Sequence, residues 1–256
     1  MSRVRLEIQG QQARLILDRA DKRNAMTKGM WQDLIDHCDT LSKGASQVRV
    51  VVLESAGDKA FCAGADIAEL NQQLGDVAAM KASQDLVQQA QILLEQLPQA
   101  TIAKVQGDCF GGGMGLAAAC DFRLCVGHSR FAVTPAKLGL LYSLEDTQRL
   151  LNLVGLARAK QLLLLGRPIN ASTAEAWGLV TQVVEAEQLD DTVAQMIEHL
   201  VSVSGQSIAG MKRTLAALAI GTDFESEVRQ LFSDAFESKD FKEGAAAFLQ
   251  KRPPNF

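Results

Sequence analysis

The groups in this chain best suited to do chemistry belong to the backbone. Gly111-Gly112-Gly113-Met114-Gly115 puts four glycines in five positions, directly ahead of the run Leu116-Ala117-Ala118-Ala119-Cys120. A helix start leaves N–H groups unpaired and carries the positive end of the helix dipole. Glycines let a ligand come within van der Waals contact of those groups. The stretch therefore suits an anion, or an oxygen that becomes anionic during reaction. It equally suits a close helix–strand contact, and by itself it leaves both readings open. A second loop, Lys59-Ala60-Phe61-Cys62-Ala63-Gly64-Ala65-Asp66-Ile67, also follows a strand pattern and opens a helix. Two such starts can aim two N–H groups at one carbonyl oxygen. For a thioester, whose enolate needs only two well-placed donors, that is an oxyanion hole.

Other chemistries fit less well. Gly113-Met114-Gly115-Leu116-Ala117-Ala118 matches G-x-G-x-x-A, but it falls far from the first strand–helix unit, and no acid stands about 20 residues on. No Gly-Lys-Ser/Thr follows, so the phosphate-loop pattern fails. The three histidines, at 37, 128 and 199, lack metal-ligand spacing, and no metal site is expected. The five cysteines show no C-x-x-C, which fits free buried thiols in a reducing cytoplasm. A formal charge of −4 without a basic block argues against nucleic acid and anionic membrane as partners. No apolar run approaches the roughly 18 residues of a membrane helix. The first ten residues alternate like a strand rather than forming a signal peptide.

The elements that must hold the two loops can be read from periodicity. Val4–Ile8 and Ala13–Leu17 alternate around Gln9-Gly10-Gln11-Gln12, a hairpin signal. Asp18–Ala25 reads as a charged loop. Thr27 can cap a helix to about Ser42, with Met30, Leu34, Ile35, Cys38 and Leu41 on one face. Val48–Leu53 is a β-branched, buried strand. A short helix starts at Asp66, whose carboxylate can cap it. A long amphipathic helix runs from Asp76 to about Leu97, where Pro98 stops it. Thr101–Val105 and Phe122–Val126 read as strands around a helix at Gly112–Cys120, with another strand at Ser129–Val133. This alternation predicts an α/β core with parallel strands. After about Val184 only helices are expected, at Glu187–Val203, Ser207–Ile220, Phe224–Glu237 and Phe241–Gln250. Their apolar faces (Leu215, Leu218, Val228, Leu231, Phe232, Phe236 and Phe248) need a surface, either their own core or a neighbouring subunit.

The motifs AFCAGADI and VQGDCFGGGMGLAAACDFRL, some forty residues apart, resemble those of the crotonase (enoyl-CoA hydratase/isomerase) superfamily. The similarity extends to Asp18–Ala25, to Ala171–Val180 (ASTAEAWGLV), and to the end of the chain, Glu243-Gly244 with Phe248-Leu249-Gln250-Lys251-Arg252. The resemblance implies a ββα spiral core over residues 1–190 and a helical region at 191–256 that drives trimers or hexamers. It implies an acyl-CoA substrate, with coenzyme A as part of that substrate and no separate cofactor. The oxyanion donors would be the N–H groups of Ala65 and Gly112. Ala63, Asp66 and Ile67 would recognise the adenine of coenzyme A. Lys22 and Arg23 would meet its nucleotide end. Phe248 and Lys251 would help hold it, often from a neighbouring subunit, and Phe232 matches a similar apolar position.

The sequence also departs from the family pattern. Family hydratases use two glutamates to split acid and base roles. The first would stand at residue 115, which is glycine, and the second at residue 135, which is proline. An aspartate used by dehalogenases and dienoyl-CoA isomerases would stand at Ser143. Tyr142, the one tyrosine of the chain, with FAVTPAKLG before it, resembles the methylmalonyl-CoA decarboxylase-like branch. That branch carries a histidine where this chain has Ala65. Decarboxylation generates an enolate without a base removing a proton, so it tolerates the missing glutamates. Glu145 and Asp146 are the nearest ionisable groups in sequence; they serve either the site or a helix first turn. Three readings remain: a hydratase/isomerase-type lyase or isomerase, an acyl-CoA decarboxylase using Tyr142, and a non-catalytic acyl-CoA binder or assembly protein.

Overall fold

A computed structural model describes residues 3–44, 47–220 and 225–256. The chain opens with β1 (Arg3–Gln9) and β2 (Gln12–Asp18), the expected hairpin, then α1 (Lys28–Lys43), capped by the Thr27 hydroxyl. Three strand pairs follow. They are β3 (Val50–Ser55) with β4 (Ala60–Cys62), β5 (Ala100–Val105) with β6 (Asp108–Phe110), and β7 (Phe122–Val126) with β8 (Arg130–Ala132). Helices α2 (Ile67–Gln72) and α3 (Val77–Glu95) follow the first pair, α4 (Gly112–Ala119) the second, and α5 (Leu144–Leu165) the third. Then come β9 (Ile169–Asn170), α6 (Ala171–Ala176), β10 (Gln182–Val184) and the helices α7 (Leu189–Ser202), α8 (Gly205–Ile220), α9 (Glu225–Ala235) and α10 (Lys239–Gln250). The expected start of α9 at Phe224 lies outside the described residues.

The long strands form one sheet in the order β1-β2-β3-β5-β7-β10, and the short ones a second, β4-β6-β8-β9. Val50 pairs with Ala100, Ile102 with Phe122 and Leu124 with Gln182, all in parallel register. The sheets are not wholly parallel: β1 on β2 and β9 on β8 are antiparallel, each at one sheet's edge. Each strand pair thus contributes one strand to each sheet before its helix returns the chain. Sequence reading missed β4, β6, β9 and β10, because strands of two or three residues are too short for periodicity to register.

The run Val50-Val51-Val52-Leu53 is buried throughout because both faces of its sheet are covered. Val51 and Leu53 join α1, α3 and α4 in the main core. Val50 and Val52 pack with Ile102, Leu124 and Val126 against Leu189 and Val193 of α7. Helix α7 is therefore part of the sheet's packing, and the expected boundary at 190/191 falls inside it. Lys212 of α8 reaches Asp121 at 2.7 Å and the Gln99 carbonyl at 2.8 Å, fastening the next helix to the core. Beyond it the surface is strongly apolar. Leu215, Leu218, Phe232 and Phe248 are between 67% and 84% exposed.

Candidate functional site

The two glycine loops meet. Strand β4 runs into Ala63–Asp66 and strand β6 into Gly111, and β4 and β6 are parallel neighbours. Both loops therefore leave the short sheet at the same end. Gly64 has φ +105° and Gly111 φ +52°, conformations a side chain would strain. A Cβ on Gly64 would lie 3.6 Å from the Gly112 nitrogen. One on Gly112 would lie 3.9 Å from the Ala65 nitrogen. The Ala65 N–H is directed by a one-residue parallel bridge. Met26 donates to the Gly64 carbonyl at 2.8 Å and accepts from the Asp66 N–H at 2.9 Å. This pattern turns Ala65's own N–H away from Met26. Gly112 is the first residue of α4, so its N–H has no carbonyl a turn back within the helix.

The four glycines do different things. Gly113 is a helix–strand contact: a Cβ there would sit 2.5 Å from the Cys62 carbonyl oxygen. Gly112 keeps only the Trp31 ring near its Cβ position, at 3.4 Å, and borders Ala65. At Gly115 a Cβ would meet Gln91 Nε2 of α3 and, at 2.6 Å, Asp146 Oδ1 of α5. The close helix–strand contact thus falls on Gly113, while its neighbour Gly112 borders the second loop.

Other buried groups hold these loops. Asn24, fully buried, donates to the Ala56 and Ala60 carbonyls at 3.0 and 2.8 Å and accepts from the Arg19 N–H. Arg123 donates to the Leu179 carbonyl at 2.8 Å and the Ala117 carbonyl at 3.3 Å, securing the far end of α4. Neither was singled out from sequence. A charged residue inside a strand gives no local sign that it will cap a helix it does not belong to.

Around the loops, Ala63 donates to the Arg23 carbonyl at 3.0 Å, joining the Lys22–Arg23 turn to the second glycine loop. Lys22 is exposed. Arg23 is exposed too, and pairs with buried Asp108, which also takes two bonds from Arg130 at 2.8 and 2.9 Å. Ile67 is 58% exposed. The Asp66 carboxylate is committed within the chain. It caps α2 through the Glu69 N–H at 3.0 Å and pairs with Arg19. The Glu69 amide first, and then Arg19, hold its carboxyl below the usual range. Phe232 packs edge-on to Phe236, while Phe248 and Lys251 are exposed on α10 and at its end.

Glu145, expected as a site residue, is exposed in the first turn of α5. The carboxylate that turns inward belongs to its neighbour Asp146, 4% exposed. On a helix, adjacent residues point about 100° apart, so only one can face α4. Asp146 Oδ2 accepts from Ser143 Oγ at 2.9 Å and Gln88 Nε2 at 3.0 Å, and Oδ1 from Arg149 Nη1 at 3.2 Å. Arg149 also binds Gln91 Oε1 at 3.0 Å and Glu95 at 2.8 Å. Tyr142 precedes this helix and packs partly buried against the main core. Burial raises its phenol well above the ordinary range, the Asp146 charge adds to the rise, and Arg149 offsets part of it. The phenol is a hydrogen-bond donor, not a base. Pro135 opens a short 3-10 turn after β8, and Thr134 Oγ1 borders Gly111. The five cysteines are free and buried, and burial pushes the Cys62 and Cys120 thiols to about 12, which leaves no thiolate nucleophile there. Among the described residues no helix is long and apolar enough to cross a membrane.

Two sheets built from successive strand pairs, with two glycine loops meeting at one end, define a crotonase-type fold. A model of the enoyl-CoA hydratase/isomerase family matches residues 7–256, and the chain belongs to that family. It is similar to a crotonyl-CoA hydratase of Syntrophomonas wolfei subsp. wolfei, with 34% identity over 98% of this chain and 96% of that one. It is also similar to the methylmalonyl-CoA decarboxylase of Escherichia coli, with 30% identity over 92% and 90% of the two chains. Among solved structures, an enoyl-CoA hydratase/carnithine racemase from Magnetospirillum magneticum superposes with a TM-score of 0.95. Its identity is 32%, over all of this chain and 96% of that one.

Proposed function

We propose that this protein is an enzyme that binds an acyl-CoA thioester and stabilises its enolate between the N–H groups of Ala65 and Gly112. The observation that carries this is the meeting of the two loops, in which a Cβ on Gly64 would lie 3.6 Å from the Gly112 nitrogen and one on Gly112 3.9 Å from the Ala65 nitrogen. Donors fixed by a β-bridge and a helix start need no reorganisation as charge develops, which is what makes such holes effective. The reading needs no cofactor beyond the coenzyme A of the substrate. Lys22 and Arg23 take its phosphates, while Ala63, Ile67 and the backbone of Asp66 take the adenine. Phe248, Lys251 and Phe232 close over it from a neighbouring copy. The reaction class is hydratase/isomerase-type chemistry on a CoA thioester, in the cytoplasm. The defining experiment compares turnover in variants that keep or delete the Gly112 N–H.

A decarboxylase is the second reading, favoured by the partly buried Tyr142 phenol and by the similarity to methylmalonyl-CoA decarboxylase. The bond from the α-carbon to the carboxylate breaks, carbon dioxide leaves, and the electron pair passes to the thioester oxygen. Tyr142 donates a hydrogen bond to the carboxylate or the enolate. A hydrogen bond to a charged group contributes about 1.5–3 kcal/mol. Tyr142→Phe is therefore expected to slow carbon dioxide release from methylmalonyl-CoA roughly 10- to 100-fold. Release at the original rate removes Tyr142 from the reaction. Binding of CoA esters with no turnover of any of them would instead favour the binder.

The exposed apolar surface of α8–α10 is assigned to contacts between copies. Leu215, Leu218, Phe232 and Phe248 are all exposed there, and large contiguous apolar patches mark interaction surfaces. Sedimentation at micromolar concentration is expected to give a trimer or hexamer. A monomer would overturn the assignment, and with it the roles of Phe248 and Lys251 in a neighbour's site.

A further inference from the structure

Gly115 lies one turn along α4 from Gly112, on the same side of the helix. A side chain there would project from the same face of α4 as one at Gly112. That volume is not empty. Its first atom would overlap Gln91 Nε2 and lie 2.6 Å from Asp146 Oδ1. A carboxylate from another helix therefore stands where a side chain of residue 115 would stand, and glycine at 115 is the condition for its being there.

This carboxylate is held on three sides, by Ser143, Gln88 and Arg149. Such support fixes a reactive group in one geometry. Its cation is shared. Arg149 serves both Asp146 and Glu95, and two carboxylates on one guanidinium leave one negative charge in the cluster. Glu95 keeps water contact with 45% of its side chain exposed, whereas Asp146 keeps 5%. The other groups of the cluster are the Tyr142 phenol, the Ser143 hydroxyl and the amides of Gln88 and Gln91. The Gln91 amide is oriented by Arg149, which donates to its Oε1. Its Nε2 is left beside Asp146 Oδ1 without a partner. A free donor next to a carboxylate suits a site that closes on something.

We infer that Asp146 is the acid–base carboxylate of this site, reaching from α5 into the place of a side chain at residue 115. The inference rests on the enolate reading above. The carboxylate takes a proton from the carbon beside the thioester carbonyl. The C–H electron pair becomes the enolate double bond, and the charge passes to the oxygen held by Ala65 and Gly112. Returning a proton from Asp146 to that carbon reverses the step and exchanges it with solvent.

The test is deuterium uptake into the acyl group of butyryl-CoA in heavy water, read by mass spectrometry, alongside calorimetric binding of the same ester. The wild type is expected to exchange. Asp146→Asn, nearly isosteric, is expected to lose at least about 100-fold in exchange rate while binding within about threefold of wild type. Gly115→Ala, whose methyl would displace Asp146 Oδ1, is expected to lose exchange as well and to keep binding. Exchange by Asp146→Asn within threefold of wild type overturns the assignment and leaves the enolate reading standing. A wild type that binds the ester without exchanging it also overturns the assignment. Failure of the wild type to bind any CoA ester brings down the enolate reading itself.

Discussion

Replacing Gly112 by proline is expected to lower kcat on the native CoA thioester by about 10²–10³, the usual loss when one oxyanion donor is removed. The substitution deletes one N–H and adds no polar group. Gly112 is the first residue of α4, the helix position where proline is best tolerated, because the N–H there has no partner within the helix. Gly112→Ala is the control. It keeps the N–H, and its methyl meets the Trp31 ring at 3.4 Å, an ordinary contact. The comparison is made by steady-state kinetics together with thermal unfolding of both variants. A proline variant that folds and turns over like the alanine variant would remove Gly112 from the oxyanion hole. If alanine and proline lose activity equally, shape rather than the donor is what matters at this residue.

Gly113→Ala is expected to cost about 3 kcal/mol of stability, near the top of the range for overpacking. Its Cβ would stand 2.5 Å from the Cys62 carbonyl oxygen and 2.7 Å from the Cys62 Cβ. The obstacle includes backbone of a buried strand paired to β6, so no flexible side-chain tip can give way. For a chain of this size that is a fall of roughly 6–12 °C in Tm, measured by differential scanning calorimetry. Activity is expected to fall further than stability. Pushing α4 off β4 moves Gly112 relative to Ala65, and an ångström of misplacement can cost about 10² in rate. Gly127→Ala, with nothing within 4 Å of its Cβ position, is expected to change neither. An unchanged Tm for Gly113→Ala would mean that the helix and strand are packed less tightly than described.

The two loop-to-helix starts, at Asp66 and at Gly112, were legible in the sequence for a local reason. A glycine loop after a strand and before a helix predicts an unpaired N–H wherever it occurs, and two such loops invite comparison. Thr27 and Asp66 as caps were legible for the same reason, since a cap acts within three residues of itself. Which of the two adjacent acids in the first turn of α5 faces inward was not legible, because only the neighbouring helices decide it; Glu145 is exposed and Asp146 buried. The boundary at 190/191 follows the change from strand–helix alternation to helices alone and the family resemblance. That α7 belongs to the sheet follows from Leu189 and Val193 meeting Val50 and Val52, about 140 residues away in sequence.

The amino-acid sequence by itself determined the strand and helix alternation, the two helix starts that present backbone donors, and the absence of a glutamate at residues 115 and 135. These are consequences of side-chain period, glycine placement and residue identity, and they need no partner from elsewhere in the chain. Only the tertiary structure decided what lies over Gly115. Asp146 comes from a helix 31 residues later and Gln91 from one 24 residues earlier, and they meet because α3, α4 and α5 pack together. The same glycine that removes a carboxylate from α4 makes room for one from α5, because the volume of a missing side chain in a close-packed interior is filled by its neighbours.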